Sequence, residues 1–196
     1  MKTILLKGLE REAVGTTSAR ATREAGMVPC VLYGGETQLN FAVYSDDFKN
    51  LIYTPNTYLV KIEVGDKTFK AIVQEVQFHP VNDTLIHVDF LEVKEDKPVV
   101  LSVPTIVKGN SPGVRAGGRL ALKLKKVRIK GMLSDLPDAI EVDISAIELG
   151  KSIKVEHINI PKIELLHAPN VAILTVEATR ATRQAANDAA ALAGGK

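Results

Sequence analysis

Tyr58-Leu59-Val60-Lys61-Ile62-Glu63-Val64-Gly65-Asp66-Lys67-Thr68-Phe69 is the stretch that decides the fold. Tyr58, Val60, Ile62 and Val64 alternate with Leu59, Lys61 and Glu63, the two-residue period of a half-buried strand. Gly65-Asp66 marks a tight turn, so residues 68–76 read as the returning strand of a hairpin. Working outward, Ile86-His87-Val88-Asp89-Phe90 alternates again, with Ile86, Val88 and Phe90 on the core side. Residues 28–33 form an apolar run ended by Gly34-Gly35, and residues 39–44 follow as the pairing partner. Two short helices interrupt the strands. One covers residues 16–25 and ends at Gly26, just past the C-cap. The other opens at Ser45-Asp46-Asp47, with Ser45 as N-cap and two acids that suit the positive end of a helix. It carries Phe48, Leu51 and Ile52 and stops at Pro55-Asn56. Five or six strands with two short helices predict a mainly β fold whose N-terminal part is a small β-barrel closed by helical caps.

Val93-Lys94-Glu95-Asp96-Lys97-Pro98 is charged and ends in proline, which places a domain boundary near residue 95. Three segments follow: a barrel domain over 1–93, a second β-rich domain over 94–178, and an alanine-rich, flexible tail over 179–196. Strand patterns in the second domain cover 99–108, 120–124, 127–130, 140–144 and 171–176. Residues 109–118 hold four glycines and a proline and read as a long loop. Asp143-Ile144-Ser145 followed by Leu149-Gly150 reads as a strand end and a tight turn.

Apolar residues make up 45% of the 196, enough for real cores, yet no apolar run is long enough to cross a bilayer. The first residues lack a signal-peptide core, because Lys7 interrupts it. A single cysteine, Cys30, excludes an internal disulfide framework and fits a reducing compartment, so a soluble cytoplasmic protein without membrane contact is expected. The net charge of +2 is small, but it is unevenly spread: −3 over residues 1–92, +3 over 93–178 and +2 over 179–196. A nucleic-acid site in the acidic N-terminal part must therefore be local and geometric rather than a broad electrostatic attraction.

Arg11, Arg20 and Arg23 are the only cations between Lys7 and Lys49. Arg20 and Arg23 share a helix face, and the planar guanidinium suits phosphate or guanine. A solvated helix face is the plainer alternative. His87 and Asp89, two apart on a strand, stand together on its outer face, where a carboxylate can accept from base amino groups and an imidazole can stack or hydrogen-bond. A merely soluble strand face explains them equally well. Tyr33 ends its run beside the double glycine, placed either to stack on a base or to finish the core. Lys123, Lys125, Lys126, Arg128 and Lys130 form a basic stretch in which Lys126, Arg128 and Lys130 share one strand face. It fits an RNA backbone, an acidic partner, or simple protection of an edge. No enzyme constellation stands out. Cys30, His79, His157 and His167 make no spaced ligand set with His87, Cys30 reads as a packed small hydrophobe, and no phosphate-binding loop or nucleophile elbow is present. No cofactor or metal is expected.

Three stretches together resemble one family. Thr17-Ser18-Ala19-Arg20 through Arg23 and Gly26 to Val28-Pro29-Cys30-Val31-Leu32-Tyr33-Gly34-Gly35 form the first. Phe78-His79-Pro80-Val81 with Ile86-His87-Val88-Asp89-Phe90-Leu91 form the second, and Gly113-Val114-Arg115-Ala116-Gly117-Gly118 the third. In order and spacing, over residues 4–177, they resemble the long, two-domain form of the bacterial 5S-RNA-binding ribosomal protein family, also called the Ctc or general stress protein family. The resemblance implies a barrel that docks on the loop E region of 5S ribosomal RNA, within the large ribosomal subunit and without catalysis. It also implies an RNA-contact set that falls here on Arg11, Arg20, Tyr33, His87 and Asp89, with Arg23 added as a phosphate contact. Neighbouring ribosomal proteins are the implied contact of the second domain. The barrel is also similar to the anticodon-binding barrels of glutaminyl-tRNA synthetase, and a stress-response interaction protein is a second reading. One departure stands out: the family's Arg/Lys-rich run is thinned here to Arg20 and Arg23 by Ala21, Thr22 and Glu24.

Overall fold

The computed structural model describes residues 1–35, 37–94, 96–180 and 184, so the expected tail lies outside the described residues except at 179, 180 and 184. The chain divides into two compact units, residues 1–101 with 131–138, and the described residues of 102–130 and 139–196. The first contains strands β1 (Lys2–Glu10), β2 (Met27–Tyr33), β3 (Leu39–Tyr44), β4 (Tyr58–Val64), β5 (Lys67–Phe78) and β6 (Leu85–Glu92). Helix α1 (Thr16–Glu24) precedes β2, and a one-turn 3-10 helix (Ser45–Phe48) runs into α2 (Lys49–Ile52). The strands close into a barrel in the order β1-β3-β2-β6-β5-β4.

The hairpin at residues 58–76 forms as expected: β4 pairs antiparallel with β5, Val64 opposite Lys67. The strand that sequence patterning did not pick out is β1. It runs parallel to β4 over the register Lys2↔Tyr58 to Gly8↔Val64 and touches β3 at its other edge. Leu5 and Leu6 are adjacent leucines, which blurs the alternation, yet Leu6 is 1% exposed and Leu5 49%. The core gathers Val28, Cys30 and Leu32 from β2, Val60, Ile62 and Val64 from β4, and Val88 and Phe90 from β6. Phe48 and Leu51 join it from the helical segment. The Phe41 and Phe90 rings lie 5.7 Å apart, and Phe48 lies 6.5 Å from Phe90. Cys30 is fully buried, as its apolar surroundings suggested, and burial pushes its thiol pKa far up, so the thiolate is suppressed.

Two local expectations are corrected. Ser45 is not a side-chain cap: Tyr44 holds the cap position of the 3-10 turn, and neither side chain caps a free N–H. Ile86 does not reach the core. A register shift between Gln77 and Phe78 leaves Ile86 without a pairing partner and puts Leu85, 8% exposed, in its place.

The second unit is also built from strands: β7 (Val99–Lys108), β8 (Arg119–Leu122), β9 (Lys126–Gly131), β10 (Ile140–Asp143), β11 (Ser152–Lys154), β12 (Glu164–Leu165) and β13 (Ala172–Glu177). They make a four-stranded sheet, β10-β7-β9-β12, and a three-stranded one, β11-β13-β8. Val127 and Ile129 of β9 are fully buried, as are Ile173, Leu174 and Val176 of β13. The glycine-rich stretch at 109–118 is more ordered than a long loop, because α3 (Pro112–Arg115) forms inside it. Ser111, 1% exposed, accepts from the N–H groups of Gly113 and Val114 and donates to the Ile147 carbonyl. Gly113 lies so close to the Glu148–Leu149 backbone that a Cβ would stand 2.6 Å from it.

Two substitutions test this packing. A Cβ at Gly8 would stand 2.6 Å from the Phe41 ring and 3.0 Å from Val64, and the Phe90 ring behind Phe41 leaves it little room to yield. Gly8→Val is expected to cost about 1–3 kcal/mol in urea unfolding, and an unchanged midpoint would refute β1 as the closing strand. Ser111→Ala strands the Val114 N–H and removes one of two bonds from the Gly113 N–H and from the Ile147 carbonyl, which stay bonded to each other, and an expected loss of about 1–3 kcal/mol would show in the same measurement.

Candidate nucleic-acid interface

The outer face of β6 is set by what its inner face must bury. Val88 and Phe90 are fixed inward, so His87 and Asp89 stand outward, and His87 Nδ1 lies 2.6 Å from Asp89 Oδ1. A carboxylate only accepts, so Nδ1–H donates, which leaves Nε2 as an acceptor whenever the ring is neutral. The two side chains are 24% and 26% exposed, enough to be held in place and still be reached.

Across the sheet the register sets Glu75 opposite Asp89 and Gln77 opposite His87. Sequence reasoning passed over both. Phe69, Ala71 and Val73 face the core, and strict alternation would send Glu75 inward too. A β-bulge between Val73 and Glu75 resets the period: Gln74 is the extra residue and Val76 packs inward instead. Nothing in the residue types signals the bulge. This irregularity and the one at Ile86 lie on either side of the Glu75–Asp89 and Gln77–His87 pairs, as bulges commonly do where strands re-aim side chains.

Tyr33 leaves β2 on the same side. Val31 pairs with Asp89, so Tyr33, two residues on, shares that face; partial burial raises its phenol pKa, and the negative charges of Asp89 and Glu75 raise it further. Arg23 of α1 reaches the strand, its Nε donating to the Ile86 carbonyl at 3.1 Å, next to His87. Arg11 is committed to the start of α1 through Nη2, which donates to Ser18 Oγ at 3.1 Å and to the Ala13 carbonyl at 3.4 Å. Its backbone N–H also continues the β1–β3 edge by donating to Asn40. Arg20 points away, exposed and paired with Glu24 at 2.9 Å. His87, Asp89, Tyr33 and Arg23 thus converge. Arg11 latches the helix that carries Arg23, and Arg20 lies out on the solvent side of that helix.

The centre of this face is acidic, so phosphates are disfavoured there. Its carboxylates and imidazole acceptor suit N–H donors such as base amino groups, and the arginines belong to the margin. His79 is used otherwise: its Nδ1 accepts from the backbone of Val81 and Asn82 in the β5–β6 turn. Among the described residues no His, Cys, Asp and Glu gather in a metal-holding group, and no helix is long and apolar enough to cross a membrane.

Comparison with known proteins agrees with this architecture. Residues 6–90 match the Ribosomal L25p family, and residues 98–180 match the family described as ribosomal protein TL5, C-terminal domain. The large ribosomal subunit protein bL25 of Porphyromonas gingivalis is 43% identical, over 95% of this chain and 98% of its own length. That of Bacteroides fragilis is 41% identical over 95% and 97%, and that of Amoebophilus asiaticus 38% over 96% of each. With one match covering most of the barrel and the other most of the second β-rich unit, and relatives similar over nearly their whole length, this chain belongs to the Ribosomal L25p family.

Proposed function

We propose that this chain is a structural constituent of the large ribosomal subunit that binds 5S ribosomal RNA at its loop E region, without catalysis and without a cofactor, on cytoplasmic ribosomes. In this reading residues 1–93 form the RNA-binding domain. Arg11, Arg20, Arg23, Tyr33, His87 and Asp89 are its contacts.

The observation that carries the RNA assignment is the His87–Asp89 pair on a face that also holds Glu75 and Tyr33. Such a face would repel a regular run of phosphates. It gains only by meeting base edges, which a distorted, non-Watson–Crick RNA helix exposes and a regular A-form major groove hides. Asp89 and His87 then accept from base donors, Tyr33 offers a stacking surface, and Arg20 and Arg23 take the flanking backbone. Arg11 acts chiefly by fixing α1 through Ser18.

Titration of the full chain against a 5S RNA fragment containing loop E, at two salt concentrations, tests the proposal. A saturable preference for the loop E fragment over a regular duplex of equal length, kept at both salt concentrations, is expected. The double substitution His87→Ala, Asp89→Ala should abolish it, and Arg20→Ala alone should weaken binding about uniformly across RNAs and lower the salt slope by about one. Binding that is equally weak for any RNA, or untouched by the double substitution, would remove these residues from the interface.

A further inference from the structure

Between Lys97 and Ser134 the sequence has eight basic residues and no aspartate or glutamate. The fold neutralises three of the eight with carboxylates from elsewhere: Lys108 with Glu141 at 2.6 Å, Lys123 with Glu177 at 2.7 Å, and Lys130 with Glu164 at 3.3 Å. Lys125, Lys126 and Arg128, together with Arg115 and Arg119, are exposed and make no ion pair among the described residues. Val127 and Ile129 are fully buried, so Lys126 and Arg128 share the solvent side of β9, about 6.6–6.8 Å apart along the strand. Lys125 precedes them at the mouth of the strand, its carbonyl bonded to the Thr105 N–H.

A second compositional fact limits what these cations can meet. All nine aromatic residues of the chain lie at or before Phe90. The second unit therefore has no Phe, Tyr or Trp on which an unpaired base could stack, only the imidazoles of His157, whose Nδ1 accepts from the Lys154 N–H, and His167, whose Nε2 is buried, and no aromatic anchor of the kind that dominates protein–protein interfaces. What remains is a set of uncompensated point charges and guanidinium forks, which suits phosphate oxygens and nothing sequence-specific.

We infer that the solvent side of β9, with Lys125, Lys126 and Arg128 at its centre, is a second nucleic-acid contact that grips the phosphate backbone of duplex RNA. It does not depend on the loop E contact. Its signature is the opposite one: no sequence preference and a steep salt dependence.

The test uses the full chain and a regular A-form RNA duplex without any internal loop, followed by fluorescence anisotropy across a salt series. Wild type should bind at about 50 mM KCl and release steeply as salt rises. Lys125→Gln, Lys126→Gln and Arg128→Gln combined should weaken duplex binding at least about tenfold at low salt and lower the log–log salt slope by about two to three, near 0.9 per lost contact. Removing the same charge from lysines paired with Asp46, Glu63 and Glu156, by Lys49→Gln, Lys61→Gln and Lys154→Gln, should leave the slope unchanged. The inference is overturned if wild type ignores the duplex at low salt, or if the paired-lysine variant loses as much. It is also overturned if poly-glutamate but not RNA occupies the surface, which would indicate an acidic protein partner.

Discussion

Closure of the barrel by β1 is the constraint on which the rest of the first unit depends. An open five-stranded sheet would leave β3 and β4 with unpaired backbone edges, and the parallel β1–β4 ladder with the β1–β3 contact removes both. Closure also fixes the interior volume. Gly8 supplies the gap that Phe41 fills, Phe41 lies against Phe90, and Phe48 packs on the same ring from the helical segment. Phe90 is the inward neighbour of Asp89, so the aromatic core that the missing side chain at Gly8 admits is also what pins the outer face of β6.

That link explains why the candidate interface sits on strands rather than loops. His87 and Asp89 are held at 2.6 Å by backbone whose alternate side chains are locked in the core, so little rotamer entropy is left to lose on binding. The bulges at Gln74 and Ile86 then adapt a regular ladder to a particular surface: one turns Glu75 and Gln77 outward, and the other ends the regular pairing beyond His87. A barrel without them would present a different set of side chains from nearly the same sequence.

The legible parts of the molecule are those where one period dominates. β4, β2, β3 and the centre of β6 could be read from alternation or apolar runs, and α1 from its glycine stop. The outward pairing of His87 with Asp89 followed from Val88 and Phe90 alone. β1 was hidden because Leu5 and Leu6 are both apolar while only Leu6 is inward, a distinction made by pairing with β4 and not by residue type. Ile86 and Glu75 were misjudged or missed for a common reason: a bulge changes the parity of every position beyond it, and no local composition announces one. α3 escaped notice because its stability lies in Ser111 and the Ile147–Leu149 backbone, which are remote in sequence from one another. Arg11 looked like a free cation in the sequence, and its use as a latch for α1 depends on Ser18 being brought beside it.

The division of charge and aromatic content between the two units has a physical logic of its own. A barrel with a net charge of −3 over residues 1–92 cannot accumulate counterion-release affinity, but it is correspondingly protected from wrong partners, since any regular polyanion is repelled from the Asp89–Glu75 face. A unit with a net charge of +3 over residues 93–178 and no Phe, Tyr or Trp has the reverse character, attraction without discrimination. Joined in one chain, the two properties are complementary. If both proposed contacts hold, the charged unit would raise the local concentration of the selective one near RNA, as linked binding modules do without any new contact, and the selective unit would decide where the chain stays. Thinning the α1 cations to Arg20 and Arg23 then need not weaken the assembled interaction, because the electrostatic share of the affinity can be carried by β9 while the barrel face keeps its specificity.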